Sequence, residues 1–99
     1  MAFKIPKEFQ LGGQTFAVSI LPEEIEIGKA GLCNYDQGWV RISSKTRYGN
    51  VHQDAQGRVF CHELLHLLLD AAGERELSDN EPLIERCSTL LYQFLKSCK

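Results

Sequence analysis

Residues 54–72 read DAQGRVFCHELLHLLLDAA, and positions 62–66 within them form the pattern His-Glu-x-x-His. The stretch is long and apolar enough for a core helix, and Gly73 behind it is a typical C-terminal stop. Because residues four apart stand one above the other on a helix, His62 and His66 can reach the same metal ion. Burying such polar side chains is unfavourable unless something binds them. The sequence therefore predicts a metal-binding helix.

Glu63 lies between the two histidines and projects about 100° around the helix from its neighbours. Its carboxylate is therefore expected beside a bound zinc ion, where a base can take a proton from a zinc-bound water. This arrangement predicts hydrolytic chemistry with Glu63 as the catalytic base. The alternative interpretation is that both histidines lie on a solvated helix face.

Length and charge limit the classes of protein to which the chain can belong. The 99 residues predict one domain, 1–99, and the net charge of −2 without a basic cluster argues against nucleic acid as the main partner. No apolar stretch approaches the length of a membrane helix, and no signal-peptide core follows the N-terminal lysines. We therefore expect a cytoplasmic protein that does not associate with membranes.

The four cysteines, Cys33, Cys61, Cys87 and Cys98, include no Cys-x-x-Cys pair. Without a secretory signal, they are expected to be reduced thiols and mostly buried. Cys61 precedes His62 and faces away from the ligand side of the helix, so we expect it to pack in the core.

The rest of the chain predicts a β-rich first half followed by two helices, hence an α+β fold. Residues 15–20 alternate between polar and apolar, as a half-buried strand does. Residues 31–35 and 39–43 flank a short Asp-Gln-Gly turn and predict an antiparallel hairpin, whereas residues 44–50 predict an exposed loop. We expect a short N-terminal antiparallel sheet, an active-site helix and a C-terminal helix.

A catalytic zinc site with two histidines needs a third protein ligand. His52 is the only other histidine in the sequence, and it would lie about 15 Å from His62 if the helix extends that far back. The third ligand must then be a carboxylate or a cysteine.

Residues 80–85 read NEPLIE and open a second amphipathic helix, with side chains at 78–80 available to cap it. Pro82 fits only the first turn, which places Glu81 at the helix start, four residues before Glu85 on the same face. We favour Glu81 as the third ligand, while the alternative is that both acids complement the helix dipole. The apolar positions recur at helical spacing: Ile84, Cys87, Leu91, Phe94, Leu95 and Cys98.

The two motifs together, at 62–66 and 80–85, resemble those of the gluzincin clan of zinc metallopeptidases, whose second helix carries Asn-Glu-x-x-x-Asp. The short chain and its apolar tail are similar to minimal gluzincins and to the ImmA/IrrE-like peptidases of phages and mobile elements. The resemblance covers roughly residues 30–97. It implies a zincin-like fold, one zinc ion per chain and Glu81 as the third ligand. It also implies that Glu85, in place of the family's aspartate, hydrogen-bonds a ligand histidine.

The resemblance further implies that the chain hydrolyses a peptide or protein substrate with a zinc-bound water that Glu63 activates. We expect the substrate to lie along the strand at 39–43 as an added strand, with Trp39 and Arg41 selecting its side chains. The alternative function is a zinc-binding regulatory or interaction protein with this fold and little or no turnover. The predicted substrate strand consists of Trp39, Val40, Arg41, Ile42 and Ser43.

The larger gluzincins also carry a separate side chain that stabilises the oxyanion of the transition state. The motifs assign no such residue in this chain. Four side chains with a suitable donor are open to consideration: Tyr35, Tyr48, His52 and Tyr92.

Overall fold

The computed structural model describes residues 3–25 and 28–98, and the other residues of the predicted domain, 1–2, 26–27 and 99, lie outside the described part. The elements are β1 (Glu8–Leu11), β2 (Gln14–Leu21), β3 (Gly31–Asn34), β4 (Trp39–Ser43), β5 (Lys45–Thr46), β6 (Gly49–Asn50), α1 (Gln53–Ala71), α2 (Arg75–Ser78) and α3 (Glu81–Ser97). This is a small sheet followed by helices, so the prediction of an α+β fold is confirmed.

The four main strands form a mixed sheet in the order β1-β2-β4-β3. The hairpin of β3 and β4 is antiparallel, as predicted, and β1 pairs with β2 in the same sense. β2 and β4 run parallel, with Ala17 opposite Trp39 and Leu21 opposite Ser43. The prediction of an antiparallel sheet is therefore wrong at this pair. Between Leu21 and Trp39 the chain is long enough for the crossover that a parallel pair requires, and β3 lies within this connection.

Two shorter segments also differ from the predictions. β1 was not expected, because four residues carry too little alternation to identify a strand. The segment 44–50, expected to be a loop, contains β5 and β6, which pair as a small antiparallel hairpin. Tyr48 lies at its tip and is 90% exposed.

The core lies between the sheet and α1, and Tyr92 of α3 closes it. Cys61 is fully buried there, as predicted, and burial raises the pKa of its thiol to about 11. All four cysteines are free, but Cys87 and Cys98 are exposed, so the expected burial is wrong for these two. The buried apolar side chains of this core are Phe16, Val40, Ile42, Phe60, Cys61, Leu67 and Tyr92.

α3 packs against α1 in the antiparallel direction, so that Lys96 meets Asp54 and Glu85 meets His62. The two helices approach closely at Gly57, where a Cβ atom would overlap the ring of Tyr92. Within the described residues, no helix is long and apolar enough to cross a membrane.

The buried face of α3 is rotated from the predicted one. Ile84 is buried as expected, but Ser88 and Tyr92 are also buried, and Phe94 is 63% exposed. Ser88 can be buried because its hydroxyl donates to the Glu85 carbonyl within the same helix. Polar side chains with such local partners can face a core, which apolar periodicity does not reveal.

Candidate metal centre

The candidate site forms where the first turn of α3 faces the middle of α1. Asn80 caps α3 by accepting a hydrogen bond from the Leu83 N–H at 3.2 Å, and Pro82 occupies the first turn. The helix therefore begins at Glu81, as the sequence predicted. The antiparallel packing of α1 and α3 then places the Glu81 carboxylate opposite His62 and His66.

The three predicted ligands come together in one cluster. The Glu81 carboxylate lies 3.1 Å from Nε2 of His62 and 3.0 Å from Nε2 of His66. The two Nε2 atoms are 3.3 Å apart. One ligand atom from each residue lies within 4.8 Å of the others, so this group could hold a metal ion.

The two histidine nitrogens have the spacing of neighbouring ligands around a small tetrahedral ion. Bonds of about 2.0–2.1 Å to nitrogen and oxygen in a tetrahedron place neighbouring ligand atoms about 3.3 Å apart. The two Nε2 atoms are separated by 3.3 Å, whereas the contacts of 3.1 and 3.0 Å to Glu81 are made by its two different carboxylate oxygens. The histidine side chains are only 15–21% exposed, whereas that of Glu81 is 63% exposed. The site is therefore sheltered by α1 and open on the α3 side.

Hydrogen bonds at Nδ1 set the tautomer of both histidines. Nδ1 of His62 lies 2.9 Å from the Glu85 carboxylate, which can only accept, so this nitrogen carries the proton. The Ser78 hydroxyl donates its proton to the His66 carbonyl at 3.2 Å and therefore accepts from Nδ1 of His66 at 3.3 Å. Both Nε2 lone pairs are thus free to point at the common ligand position.

Sequence reasoning missed the role of Ser78. It had been grouped with residues 79–80 as a potential cap, but Asn80 alone accepts the capping hydrogen bond. Ser78 ends α2, is only 3% exposed and points back towards α1. No sequence pattern marks a serine twelve residues after His66 for this contact, because the contact depends on the turn between α1 and α2.

Glu63 lies beside the cluster and is only 7% exposed. Its side chain packs on β3 at Gly31, where an added Cβ would lie 3.4 Å from the Glu63 Cγ. Burial raises the pKa of the Glu63 carboxyl, while His62, His66 and a hydrogen bond from the Cys33 thiol act in the opposite direction. A buried carboxylate with a raised pKa is a stronger proton acceptor than an exposed one.

A cleft of about 600 Å³ runs past the cluster between β3 and the two helices. β3 forms an edge of the described sheet, so one side of its backbone is available to an extended chain. The described residues that line the cleft include Gly28, Ala30, Leu32, Cys33, Arg58, Glu63, Glu81 and Glu85.

The predicted substrate strand, Trp39–Ser43, does not border this cleft. It is β4, which lies between β2 and β3 and pairs with both along its length. A strand that is paired on both sides cannot accept another strand, so this prediction is wrong. Arg41 stacks over the Trp39 ring, 3.9 Å from its centroid, while Val40, Ile42 and Ser43 are fully buried.

The four side chains considered for oxyanion stabilisation lie elsewhere. The Tyr92 hydroxyl donates to Asp54 at the far end of α1, and His52 caps α1 by accepting from the Asp54 N–H. Tyr35 packs against Phe16 in the core, and Tyr48 is exposed on the β5–β6 hairpin. None of these four is among the described residues that line the cleft.

Three features mark this group as a candidate metal centre. His62, His66 and Glu81 converge, hydrogen bonds at Nδ1 orient both imidazoles, and Glu63 is buried alongside. Comparison with protein-family models, with curated proteins and with solved structures found no match to this chain.

Proposed function

We propose that this protein is a zinc-dependent peptidase. The observation that carries the proposal is the convergence of His62, His66 and Glu81 within ligand distance, next to the buried carboxylate of Glu63. A site of this kind, with two nitrogen ligands, one oxygen ligand and an adjacent base, suits hydrolysis of an amide bond.

The donor set favours zinc over harder cations. Imidazole nitrogens suit Zn²⁺, whereas Mg²⁺ and Ca²⁺ prefer sites made only of oxygen ligands. His62, His66 and Glu81 would hold the ion, while Glu85 and Ser78 keep the imidazoles oriented. When bound, zinc lowers the pKa of a coordinated water to about 7 and polarises the carbonyl to be cleaved.

Glu63 is the residue that moves the proton in this mechanism. Its carboxylate accepts the proton of the attacking water and then delivers it to the leaving amine, as a general base and acid in turn. Its burial supports the first step, because desolvation raises its pKa. The Cys33 thiol acts on the same carboxylate and lines the cleft together with it.

The substrate would lie extended along β3, in place of the strand that the sequence suggested. β3 is the sheet edge that borders the cleft, so its free backbone groups can pair with an added strand. Gly31 sits where β3 touches α1 and keeps the strand close to Glu63. The scissile bond would then pass between the β3 edge and the metal ligands.

The test compares wild type with Glu63→Gln, which retains the size of the side chain and removes the base. Both proteins are purified without an affinity tag, loaded with zinc and incubated with a mixed peptide library, with and without chelator. We expect wild type to cleave in a chelator-sensitive way, and Glu63→Gln to cleave at least about 100-fold more slowly at unchanged zinc content. Glu76→Gln, on the exposed surface of α2, serves as the matched control.

A zinc-binding regulatory protein with little turnover is the second candidate function. The observation in its favour is that none of the four side chains considered for oxyanion stabilisation lines the cleft. Equal cleavage by wild type and Glu63→Gln, or no chelator-sensitive cleavage by wild type, would support this function over the peptidase.

A further inference from the structure

We propose that Arg58 makes the cleft selective for peptides that carry a carboxylate group about two residues from the scissile bond. This inference rests on the proposed peptidase function and names the class of substrate for that site. The carboxylate would be either the side chain of an aspartate or glutamate, or the C-terminus of a short peptide.

Arg58 lies on the same helix and the same side as the metal-facing histidines. It precedes His62 by four residues, which places it one turn, about 6 Å, further towards the N-terminus of α1. Its side chain is exposed and lines the cleft, as do Ala30 and Leu32 on the β3 side. A cation therefore stands about one helical turn from the first metal-facing histidine.

Several cations in the described part of the chain are engaged by other side chains, whereas Arg58 is not paired with a carboxylate there. Arg47 pairs with Glu24 at 3.7 Å, Lys96 binds Asp54 at 2.6 Å, and Arg41 is stacked on an indole ring. In the described part of the chain, no carboxylate lies within 4.0 Å of the Arg58 guanidinium. Its five donors remain available to a ligand in the cleft, and a guanidinium matches a carboxylate in a two-point contact.

The acidic side chains among the described lining residues cluster around the histidines, about one helical turn from Arg58. Glu81 and Glu85 contact the histidines, and Glu63 directly follows His62 on α1. A substrate carboxylate would be repelled near these three residues and attracted near Arg58. An extended peptide advances about 3.3 Å per residue, so the distance of about 6 Å corresponds to about two residues from the scissile bond.

The experiment measures binding to zinc-loaded Glu63→Gln protein, which separates recognition from turnover. The probes are alanine-rich hexapeptides, capped at both ends, in which a single glutamate or glutamine is moved through each position. A second pair compares a free C-terminal carboxylate with its amide. The same peptides are measured against Glu63→Gln combined with Arg58→Ala, and against Glu63→Gln combined with Arg86→Ala. Arg86 is an exposed helical arginine that does not line the cleft, so its loss matches the change in net charge.

We expect one glutamate position, or the free C-terminus, to bind about fivefold or more tightly than its neutral counterpart, at low ionic strength. Arg58→Ala should remove this preference, while Arg86→Ala should retain it. The position that shows the preference distinguishes a side-chain carboxylate from a terminal one.

Equal binding of acidic and neutral peptides, absence of binding by both, or a preference that survives Arg58→Ala would overturn the assignment of Arg58. These outcomes do not depend on catalysis. If wild type cleaves no peptide while the Arg58-dependent preference is present, the proposed hydrolytic function fails and the carboxylate-binding role stands. If wild type cleaves acidic and neutral peptides alike and the preference is absent, the proposed hydrolytic function stands and the carboxylate-binding role of Arg58 fails.

Discussion

The antiparallel pair of α1 and α3 is joined by polar contacts at both of its ends, and the two ends differ in kind. At the closed end, Asp54 accepts hydrogen bonds from the Tyr92 hydroxyl at 2.8 Å and from Lys96 at 2.6 Å. At the metal end, the Nε2 atoms of His62 and His66 face the Glu81 carboxylate at 3.0–3.1 Å.

The difference lies in the supply of protons and positive charge. At the closed end, one acceptor meets two donors, one of them a cation, so the contact is complete within the chain. At the metal end, the hydrogen bonds at Nδ1 leave both Nε2 atoms available as acceptors, and these atoms face the Glu81 carboxylate and each other. A cation bound between these atoms would complete that second set. Similar helix contacts can therefore serve stability at one end and binding at the other.

Glu81→Ala should produce the largest effect at the metal end. The change removes one of three ligands, so zinc affinity should fall by more than about 100-fold, beyond the usual effect of losing an outer hydrogen-bond partner. Competition with a chelator of known affinity measures this change. Glu76→Ala is the control, because Glu76 is an exposed acid on α2. If Glu85→Ala weakens zinc binding more than Glu81→Ala does, the roles assigned to the two glutamates are reversed.

Ser78→Ala and Glu85→Ala should each have an intermediate effect on the same end. Both substitutions leave the ligands in place but remove the acceptor at Nδ1 of one histidine, which should lower zinc affinity by about 10–100-fold. The same chelator competition applies, with Ser97→Ala as a control outside the site. An unchanged affinity in Ser78→Ala would show that the packing around His66 holds the imidazole without this hydroxyl.

Tyr92→Phe tests whether the closed end contributes to stability and not to zinc binding. It retains the ring against Gly57 and removes the hydroxyl that donates to Asp54, so the free energy of unfolding should fall by about 0.5–1.5 kcal/mol. Zinc affinity should be unchanged. Urea unfolding of the metal-free protein and chelator competition check the two parts. A loss of zinc affinity would show that the two ends are coupled through α3.

The smallest expected effect is the response of the closed end to acid. Hydrogen bonds from Lys96 and Tyr92 hold the pKa of the Asp54 carboxyl below its ordinary value of 3.8. The unfolded chain therefore binds this proton more tightly, so the contribution of Asp54 is complete above about pH 5 and is lost as pH falls through the lower folded pKa. Urea unfolding of metal-free protein between about pH 5 and about pH 2 measures it. Asp54→Asn should lose less stability over this range than wild type.

Local sequence patterns predicted the parts of the fold that depend on neighbouring residues. The periodicity of α1 and the proline at the start of α3 located both helices, and the grouping of His62, His66 and Glu81 followed from that spacing. The parallel pairing of β2 with β4 could not be read in this way, because it joins segments that are separated by the whole crossover. The prediction that β4 binds substrate failed for the same reason, since only the strand order shows that β3 and not β4 is at the edge.

The buried face of α3 shows a second reason why sequence patterns predict only part of the structure. Apolar spacing selected Cys87 and Phe94, yet the helix turns Ser88 and Tyr92 inwards because their hydroxyls have partners. Ser78 is hidden by the same effect, since its contact with His66 depends on how α2 folds back on α1. Polar side chains that are buried with a partner leave no hydrophobic pattern, and the candidate site contains several of them.

The metal-facing atoms all lie within residues 62–85, whereas the sheet depends on strands that are distant in sequence. Contacts between sequence neighbours form early in folding, and those across long separations form late. Zinc could therefore cross-link α1 and α3 before the β3 wall of the cleft is in place, and so stabilise a partly folded helical hairpin. Refolding from urea should then be faster with zinc present, while the same comparison in Glu81→Ala should show little acceleration. The ion would thus serve as a folding template before it serves any chemistry.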